Sequence, residues 1–250
     1  MTTMARDSHL DSPLSIGRLI GFGVALSIGL AGCCGMLGGG GAGKHHCWSA
    51  IEWQGNRTAA AGNNVDADKA KAGAQEGMCM IFCEVYDPDV QKALDAYRQT
   101  DKGKKSRAGR SFDIGQDPTA KQHYNRCLAD CGAAVESGKA KTKFECRART
   151  SKSCTAELEY EGKKHTGKAS GGEGELKAWQ DACRSYCKQD DPGVRKSYED
   201  WAKSPQGKKT KTPKAKALES ERPSDDVNAC QSRCIADILF GKASVSVTCK

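Results

Sequence analysis

Twelve of the fourteen cysteines in this chain form one pattern that occurs twice. In each copy, a single cysteine is followed by two C-x3-C pairs and then by a last single cysteine. The first copy contains Cys47, Cys79, Cys83, Cys127, Cys131 and Cys146, and the second contains Cys154, Cys183, Cys187, Cys230, Cys234 and Cys249. Counterparts are separated by 107, 104, 104, 103, 103 and 103 residues in turn. A nearly fixed interval indicates a duplication, so the sequence predicts two tandem cysteine-rich domains, 47–150 and 151–250.

The residues after the first cysteine of each copy predict a strand or a β-hairpin. Ala156, Leu158 and Tyr160 alternate with glutamates, which is typical of a strand with one buried face, and a glycine then marks a turn. When the copies are aligned on their cysteines, residues 53–55 match residues 160–162 in chemistry. We therefore expect the same element at the start of both copies.

The C-x3-C pairs lie in segments of helical character, such as Glu175 to Lys188, and cysteines four residues apart share one face of a helix. After the first pair of each copy, Asp87-Pro88 or Asp191-Pro192 predicts the start of another helix, because aspartate is a favoured N-cap and proline fits the first helical position. The next helix is predicted from near Pro118 or Ser224 to Gly138 or Gly241, and closing strands from Lys139 to Cys146 and from Lys242 to Cys249.

The predicted fold class is therefore α+β. It consists of two tandem disulfide-stapled domains, each a strand or β-hairpin, a helical hairpin carrying twin C-x3-C pairs, and a closing strand. Three pairs of aromatic residues should occupy equivalent core positions: Trp53 with Tyr160, Phe82 with Tyr186, and Tyr97 with Trp201. A duplicated core has to keep bulk in the same places even when its surface changes.

Helix geometry limits how the cysteines can pair. Side chains at i and i+4 have Cβ atoms about 5 to 6 Å apart, beyond the roughly 4 Å that a disulfide prefers. We therefore expect the two helices of each hairpin to be joined, outer cysteine with outer and inner with inner. The predicted bridges are Cys79–Cys131, Cys83–Cys127, Cys183–Cys234 and Cys187–Cys230, with Cys47–Cys146 and Cys154–Cys249 joining the first strand to the last.

Residues 1–32 have the features of a targeting segment. Arg18 precedes an apolar run from Leu19 to Leu30 that is too short to span a bilayer. The run ends in Leu30-Ala31-Gly32-Cys33, which resembles the lipobox of bacterial lipoproteins. The resemblance implies cleavage before Cys33 and lipidation of that cysteine, so Cys33 is the predicted lipid attachment site.

Residues 33–46 then form the lipidated cysteine and a glycine-rich tether, which we expect to be a flexible linker of modest reach. In lipoproteins, an aspartate after the lipidated cysteine favours retention at the inner membrane, and here that position is Cys34. The resemblance therefore implies an anchored, extracytoplasmic protein at the outer membrane or the cell surface. The cysteine content agrees, since disulfides can stabilise a domain with few aromatic residues (6% of the chain) in an oxidising compartment.

No catalytic constellation emerges from the sequence, and no cofactor or metal is expected. His45 and His46 lie at the end of the tether, while His123 and His165 are not matched in the other copy. C-x3-C pairs are also used to bind Cu(I), and paired thiols can exchange electrons, although no C-x2-C motif is present. Two alternatives to a non-catalytic role therefore stay open. One is an extracytoplasmic thiol-redox or copper-handling protein, and the other is an enzyme with a site between the domains.

Basic runs occupy the long connection between the helices in both copies. The first run is Lys102, Lys104, Lys105, Arg107 and Arg110, and the second is Lys203, Lys208, Lys209, Lys211, Lys214 and Lys216. The net charge of the chain is +8, so the positive field is local to these two segments. Candidate partners of the runs are lipid phosphates, anionic envelope polysaccharide or extracellular DNA, and a neighbouring envelope protein is a further candidate partner of the chain. Few aromatics lie near the runs, so no specific nucleic acid is expected, and the alternative is a solvated, disordered loop.

These observations predict a lipid-anchored cell-envelope protein with a non-catalytic binding or structural role. Anionic envelope polymers are its candidate ligands, and the basic segments are the candidate binding residues.

Overall fold

The computed structural model describes residues 43–106, 109–149, 152–170, 174–210, 212–221 and 223–250. The predicted signal segment 1–32, Cys33, Cys34 and the tether up to residue 42 lie outside the described residues. Arg107, Lys211 and the side chain of Lys105 also lie outside them.

Both copies have the same order of elements. The first copy contains β1 (His45–Trp53), β2 (Asn56–Asn64), α1 (Ala67–Tyr86), α2 (Pro88–Gln99), α3 (Asp101–Lys105), α4 (Arg110–Gln116), α5 (Pro118–Glu136) and β3 (Lys141–Ala148). The second contains β4 (Cys154–Tyr160), β5 (Lys163–Ala169), α6 (Gly174–Gln189), α7 (Pro192–Lys203), α8 (Pro205–Thr210), α9 (Lys214–Ser220), α10 (Pro223–Leu239) and β6 (Ser244–Cys249). The predicted α+β class is confirmed.

Each copy forms a three-stranded antiparallel sheet in which the closing strand lies beside the first strand. The strand orders are β2-β1-β3 and β5-β4-β6. Cys47 lies opposite Cys146, and Cys154 lies opposite Cys249, so the strand register brings each pair to a Cα separation of 4.1 Å. A disulfide therefore joins the first strand to the last in both sheets.

Tight turns connect the first two strands of each sheet. Gln54 and Gly55 both have positive φ (48° and 77°), as do Glu161 and Gly162 (49° and 73°). Positive φ at both central residues is the signature of the type I′ turn, which matches the twist of a two-stranded hairpin. Glycine adopts this conformation without steric cost, which explains its place in both turns.

Glycines in the sheets allow α1 and α6 to pack closely. A Cβ atom at Gly62 would lie 1.9 Å from the carbonyl oxygen of Ala70, and one at Gly167 would lie 2.2 Å from that of Ala178. Either substitution would therefore push the helix away from its sheet.

Four disulfides join the helices. Cys79–Cys131 and Cys83–Cys127 link α1 to α5, and Cys183–Cys234 and Cys187–Cys230 link α6 to α10, each with a Cα separation of 5.8 Å. Together with the two strand disulfides, they match the six pairs predicted from the sequence. Disulfides in this number are typical of proteins outside the cytoplasm, so they indicate an extracytoplasmic protein.

The basic segments are helical, and the expectation of a disordered loop is wrong for the described residues. Lys102 and Lys104 lie on α3, Lys208 and Lys209 on α8, and Lys214 and Lys216 on α9. The hydroxyl of Thr100 accepts the backbone N–H of Gly103 at 3.1 Å, and that of Ser204 accepts the backbone N–H of Gly207 at 3.1 Å. The same cap therefore starts the short basic helix in each copy.

The predicted aromatic core positions hold. The Trp53 and Phe82 rings lie 4.9 Å apart, and the Tyr160 and Tyr186 rings 4.7 Å apart. Tyr97 and Trp201 are both buried at equivalent places in α2 and α7, while Trp53 is half-buried.

The two copies pack together as one compact unit. Trp48, Ala50 and Ala59 of the first sheet belong to the same apolar cluster as the core of the second copy. Across this junction, the Ser232 hydroxyl accepts the backbone N–H of Ala59 at 2.9 Å and bonds to the Thr58 hydroxyl. The limits 47–150 and 151–250 therefore stay a prediction, and they describe the two copies of the sequence repeat. The apolar cores of the two copies are continuous.

Candidate binding cleft between the repeats

A cleft of about 860 Å³ lies where α2, α3 and α4 of the first copy face α7 and α10 of the second. We call it the inter-repeat cleft. Its charged lining residues are Arg98, Lys104, Arg110, Asp191, Lys196, Asp200, Asp225, Asp226 and Arg233, and its apolar ones include Val85, Tyr86, Val194, Trp201 and Ala229. This volume lies within the range of sites that hold small molecules or short polymer segments.

Both basic segments reach the inter-repeat cleft. Lys104 on α3 lines it, and so do Pro205 and Gln206 at the start of α8, which continues into the exposed Lys208 and Lys209. The segments are about 100 residues apart in sequence but border one opening. The duplicated Thr100 and Ser204 caps described above hold them in place.

Aromatic and aliphatic side chains form an apolar part of the cleft wall. Trp201 is 7% exposed and Val194 is 2% exposed. The N-cap of Asp191, whose carboxylate accepts the backbone N–H of Val194 at 2.8 Å, places the first turn of α7 at the cleft. Tyr86 at the end of α1 completes this wall, and burial raises the pKa of its hydroxyl.

A charged junction closes one side of the cleft. Arg110 donates to the Asp226 carboxylate through its guanidinium and to Asp225 through its backbone N–H, at 3.0 Å in the second case. Arg98 donates to the fully buried Asp113 at 3.3 Å. Burial raises the pKa of Asp225, although the positive charges of Arg110 and Arg98 oppose the shift. The junction joins α4 of one copy to α10 of the other.

A second ion pair also lines the cleft. The Arg233 guanidinium is 2.6 Å from the Asp191 carboxylate. Burial alone would lower the pKa of Arg233, but the Asp191 charge together with Tyr160 and Tyr86 outweighs it, and the pKa is raised. Arg233 is therefore charged at every physiological pH.

The acidic groups of the cleft already have donors. Besides the pairs above, Asp226 accepts from the Ser197 hydroxyl and Asp200 accepts from Lys196. Among the residues that line the cleft, three buried donors have no acceptor within the part of the chain that the structure describes: Nη2 of Arg98, Nε of Arg110 and Nε1 of Trp201. The nearest carboxylate oxygen to Arg98 Nη2, on Asp225, is 3.9 Å away, too far for a hydrogen bond. The wall of the cleft therefore contains buried donors that its own carboxylates do not reach.

A buried polar network lies behind the cleft. Asp237, 3% exposed, accepts from the Tyr160 hydroxyl and from the Arg57 guanidinium of the first copy. Burial and the Asp237 carboxylate raise the pKa of Tyr160, so this hydroxyl stays protonated. The network holds the copies together.

A further polar cluster, away from the cleft, consists of Ser185, His165 and Asp190. His165 is buried, with Nε2 2.9 Å from the Asp190 carboxylate and Nδ1 3.4 Å from the Ser185 hydroxyl. Ser185 also accepts from Gln189 at 2.9 Å. None of these residues lines the inter-repeat cleft. The buried His165 therefore has two polar neighbours within the second copy.

The predicted basic residues thus divide by role. Lys104 lines the cleft, and Arg110 belongs to the junction. Lys102 donates to Gln116 at 2.9 Å, and Lys214 lies 5.5 Å from the Tyr198 ring. Sequence reasoning missed Arg98, Arg233 and the acidic residues of the cleft, because no motif marks them.

Among the described residues, no group of three or more His, Cys, Asp or Glu side chains is placed to hold a metal ion. In the same ranges, no helix is both long and apolar enough to cross a membrane. Comparisons of the chain with protein-family models, curated proteins and solved structures find no significant match. Function is therefore inferred from the cleft and the sequence.

Proposed function

We propose that this protein is a lipid-anchored, non-catalytic binding protein of the outer membrane or cell surface, and that the inter-repeat cleft binds anionic groups of an envelope polymer. The observation that carries the proposal is that the basic segments of both copies, α3 and α8, border one cleft. A duplicated protein that kept these segments only for solubility would have no reason to bring them together.

The hydrogen-bonding capacity of the cleft supports an anionic ligand. Its carboxylates are paired with arginine, lysine and serine donors, whereas the wall keeps three buried donors, on Arg98, Arg110 and Trp201, without an acceptor among the described residues. Carboxylate, sulfate and phosphate groups supply acceptors, and arginine binds them with charge-assisted hydrogen bonds. The state of the cysteines supports a binding role over copper or redox chemistry, because all four C-x3-C pairs are in disulfides between helices.

Replacing Lys104, Lys208 and Lys209 together with glutamine should weaken binding to a polyanion by about tenfold or more at low salt. The variant neutralises fewer charges on the polymer, so its binding releases fewer counterions. Thermal stability should not change, since the three side chains are exposed. Calorimetric titration with heparin and with inorganic polyphosphate, at two salt concentrations, measures the affinity.

The matched control replaces Lys121, Lys143 and Lys163, which are exposed and belong neither to the cleft lining nor to the basic segments, with glutamine. It has the same change in net charge. Equal weakening by both triple variants would indicate a nonspecific charge effect and contradict a cleft site. Salt-insensitive or absent binding to both polymers would contradict an anionic ligand.

Substituting Cys33→Ala should leave the protein soluble or uncleaved, because the predicted acyl chains would be missing. Membrane fractionation and intact mass measure the change. Cys34→Ala is the matched control and should keep both the anchor and the added mass. Unchanged fractionation and mass in the Cys33 variant would overturn the anchor without affecting the cleft.

A further inference from the structure

We propose that the end of the molecule around Gly43 lies against an anionic lipid surface, with the inter-repeat cleft directed away from it; this inference rests on the proposed anchor at Cys33. We call this surface the tether end. It comprises Lys44, Val65, Lys69, Arg149, Lys152 and Lys168, all exposed.

The first sheet fixes where the tether leaves the fold. The backbone N–H of Arg149 donates to the Lys44 carbonyl at 2.8 Å, and its guanidinium donates to the Gly43 carbonyl at 3.4 Å. His45 pairs with Asn64 on one side and Ala148 on the other, so all three strands of the sheet have an end here. Gly43 follows Cys33 by ten residues, which span at most about 36 Å. A lipid on Cys33 would keep this end close to the bilayer.

The second sheet brings its own end to the same region. Four residues lead from Arg149 to Ser153, at most about 14 Å of chain. Ser153 exchanges backbone hydrogen bonds with Lys250 at the end of β6. Arg147 at the end of β3 lies 3.8 Å from Glu175 in the first turn of α6, which ties the two copies together here.

The charge of the tether end is complementary to anionic lipid. Lys44, Lys69, Arg149, Lys152 and Lys168 are exposed basic residues at this end. The acidic residues nearby are mostly engaged: Asp66 caps α1 through the backbone N–H of Lys69, and Glu145 and Glu175 both lie near Arg147. Asp68 and Asp181 are further exposed acids on this side, and Asp181 accepts the backbone N–H of Lys168 at 3.0 Å. Basic residues held near an anionic bilayer are attracted to it within about a Debye length.

An exposed apolar residue also lies at the tether end. Val65, in the turn from β2 to α1, is 62% exposed, more than the exposed phenylalanines Phe112 and Phe144. An aliphatic side chain among lysines is typical of a surface that touches the boundary between headgroups and acyl chains.

Helix α1 separates the tether end from the cleft. It begins at Ala67, beside Val65, and ends at Tyr86, which lines the cleft. Its 20 residues span about 30 Å at 1.5 Å per residue. Lys208 and Lys209 therefore lie far from the tether end and provide an internal control.

The test uses the mature lipidated protein in vesicles of phosphatidylethanolamine and phosphatidylglycerol, labelled with a water-soluble amine-acylating reagent and read by mass spectrometry. Lys44, Lys69, Lys152 and Lys168 should react about threefold or more slowly than in vesicles with phosphatidylcholine in place of phosphatidylglycerol. Lys208, Lys209 and Lys216 should react equally in both. Replacing Val65 with serine and Lys44 and Arg149 with glutamine should remove the protection.

A contrary result would be that the tether-end lysines react as fast in the phosphatidylglycerol vesicles as in the phosphatidylcholine ones, like the control lysines, while the protein stays bound to the vesicles. This result would contradict contact between the tether end and anionic lipid but would leave the proposed anchor intact. Protection that arises without vesicles, as the protein concentration rises, would assign the surface to a second copy and also overturn the proposal. If the protein does not associate with vesicles through a lipid, the proposed anchor at Cys33 is wrong. The tether end is then tested by the same labelling with concentrated phosphatidylglycerol vesicles. Protection of the tether end there supports the surface by itself, and its absence overturns it.

Discussion

Replacing Cys187 and Cys230 together with alanine is expected to lower the free energy of unfolding by about 4 kcal/mol. The disulfide joins residues 43 positions apart, and loss of its constraint on the unfolded chain accounts for this magnitude. Both cysteines are almost fully buried in the core of the second copy, so the variant also loses packing. Urea unfolding of the oxidised proteins, followed by circular dichroism, measures the difference.

The first copy offers a matched variant. Cys83 and Cys127 are 44 positions apart, have the same Cα separation and are as deeply buried. Replacing them should cost a similar amount, and because the copies share one compact unit, each variant should unfold in a single transition. Losses below about 1 kcal/mol in both variants would show that the cores are sufficient without the bridges.

The disulfide framework could be predicted from the sequence because the spacing of the cysteines restricts how they can pair. A C-x3-C pair on a helix cannot close on itself, so two pairs in one copy specify a helical hairpin. The turn after the first strand was predicted as well, because a glycine follows a polar residue there in both copies.

The short basic helices α3 and α8 could not be predicted from the sequence. Each has five or six residues, contains a glycine and is rich in lysine, which by itself favours a loop. They form because a hydroxyl caps them and because Gly103 and Gly207 fit against the carbonyl oxygens of Tyr97 and Trp201, where a Cβ would lie 2.1 and 2.2 Å away. Tertiary contacts therefore decide their structure.

The cleft was missed for a related reason. Duplicated residues reveal what both copies need, whereas the interface between the copies needs different residues on its two sides. Arg233 corresponds to Asp130 by the 103-residue interval, and Asp237 corresponds to Ala134. Both residues face the other copy or the cleft, so the repeat carried no signal for them.

Replacing Asp237 with leucine should lower the free energy of unfolding by about 3 kcal/mol, because it leaves the Arg57 guanidinium and the Tyr160 hydroxyl without their acceptor. Asp237 is buried, and Arg57 keeps 23% of its side chain in solvent with Glu52 3.5 Å away, so the cost should fall at the lower end for a broken buried pair. Tyr160→Phe removes only one hydroxyl and should cost about 1 kcal/mol. Urea unfolding at pH 7 measures each variant.

A double-mutant cycle distinguishes a broken ion pair from a packing defect. Combining Asp237→Leu with Arg57→Met removes both charges, so the double variant should be more stable than the sum of the single losses predicts by about 1 to 3 kcal/mol. Strict additivity would mean that leucine merely fits poorly beside Tyr160. The pair joins the two copies, so its coupling energy measures directly how strongly this part of the junction holds them together, and thereby how firmly the walls of the cleft are fixed.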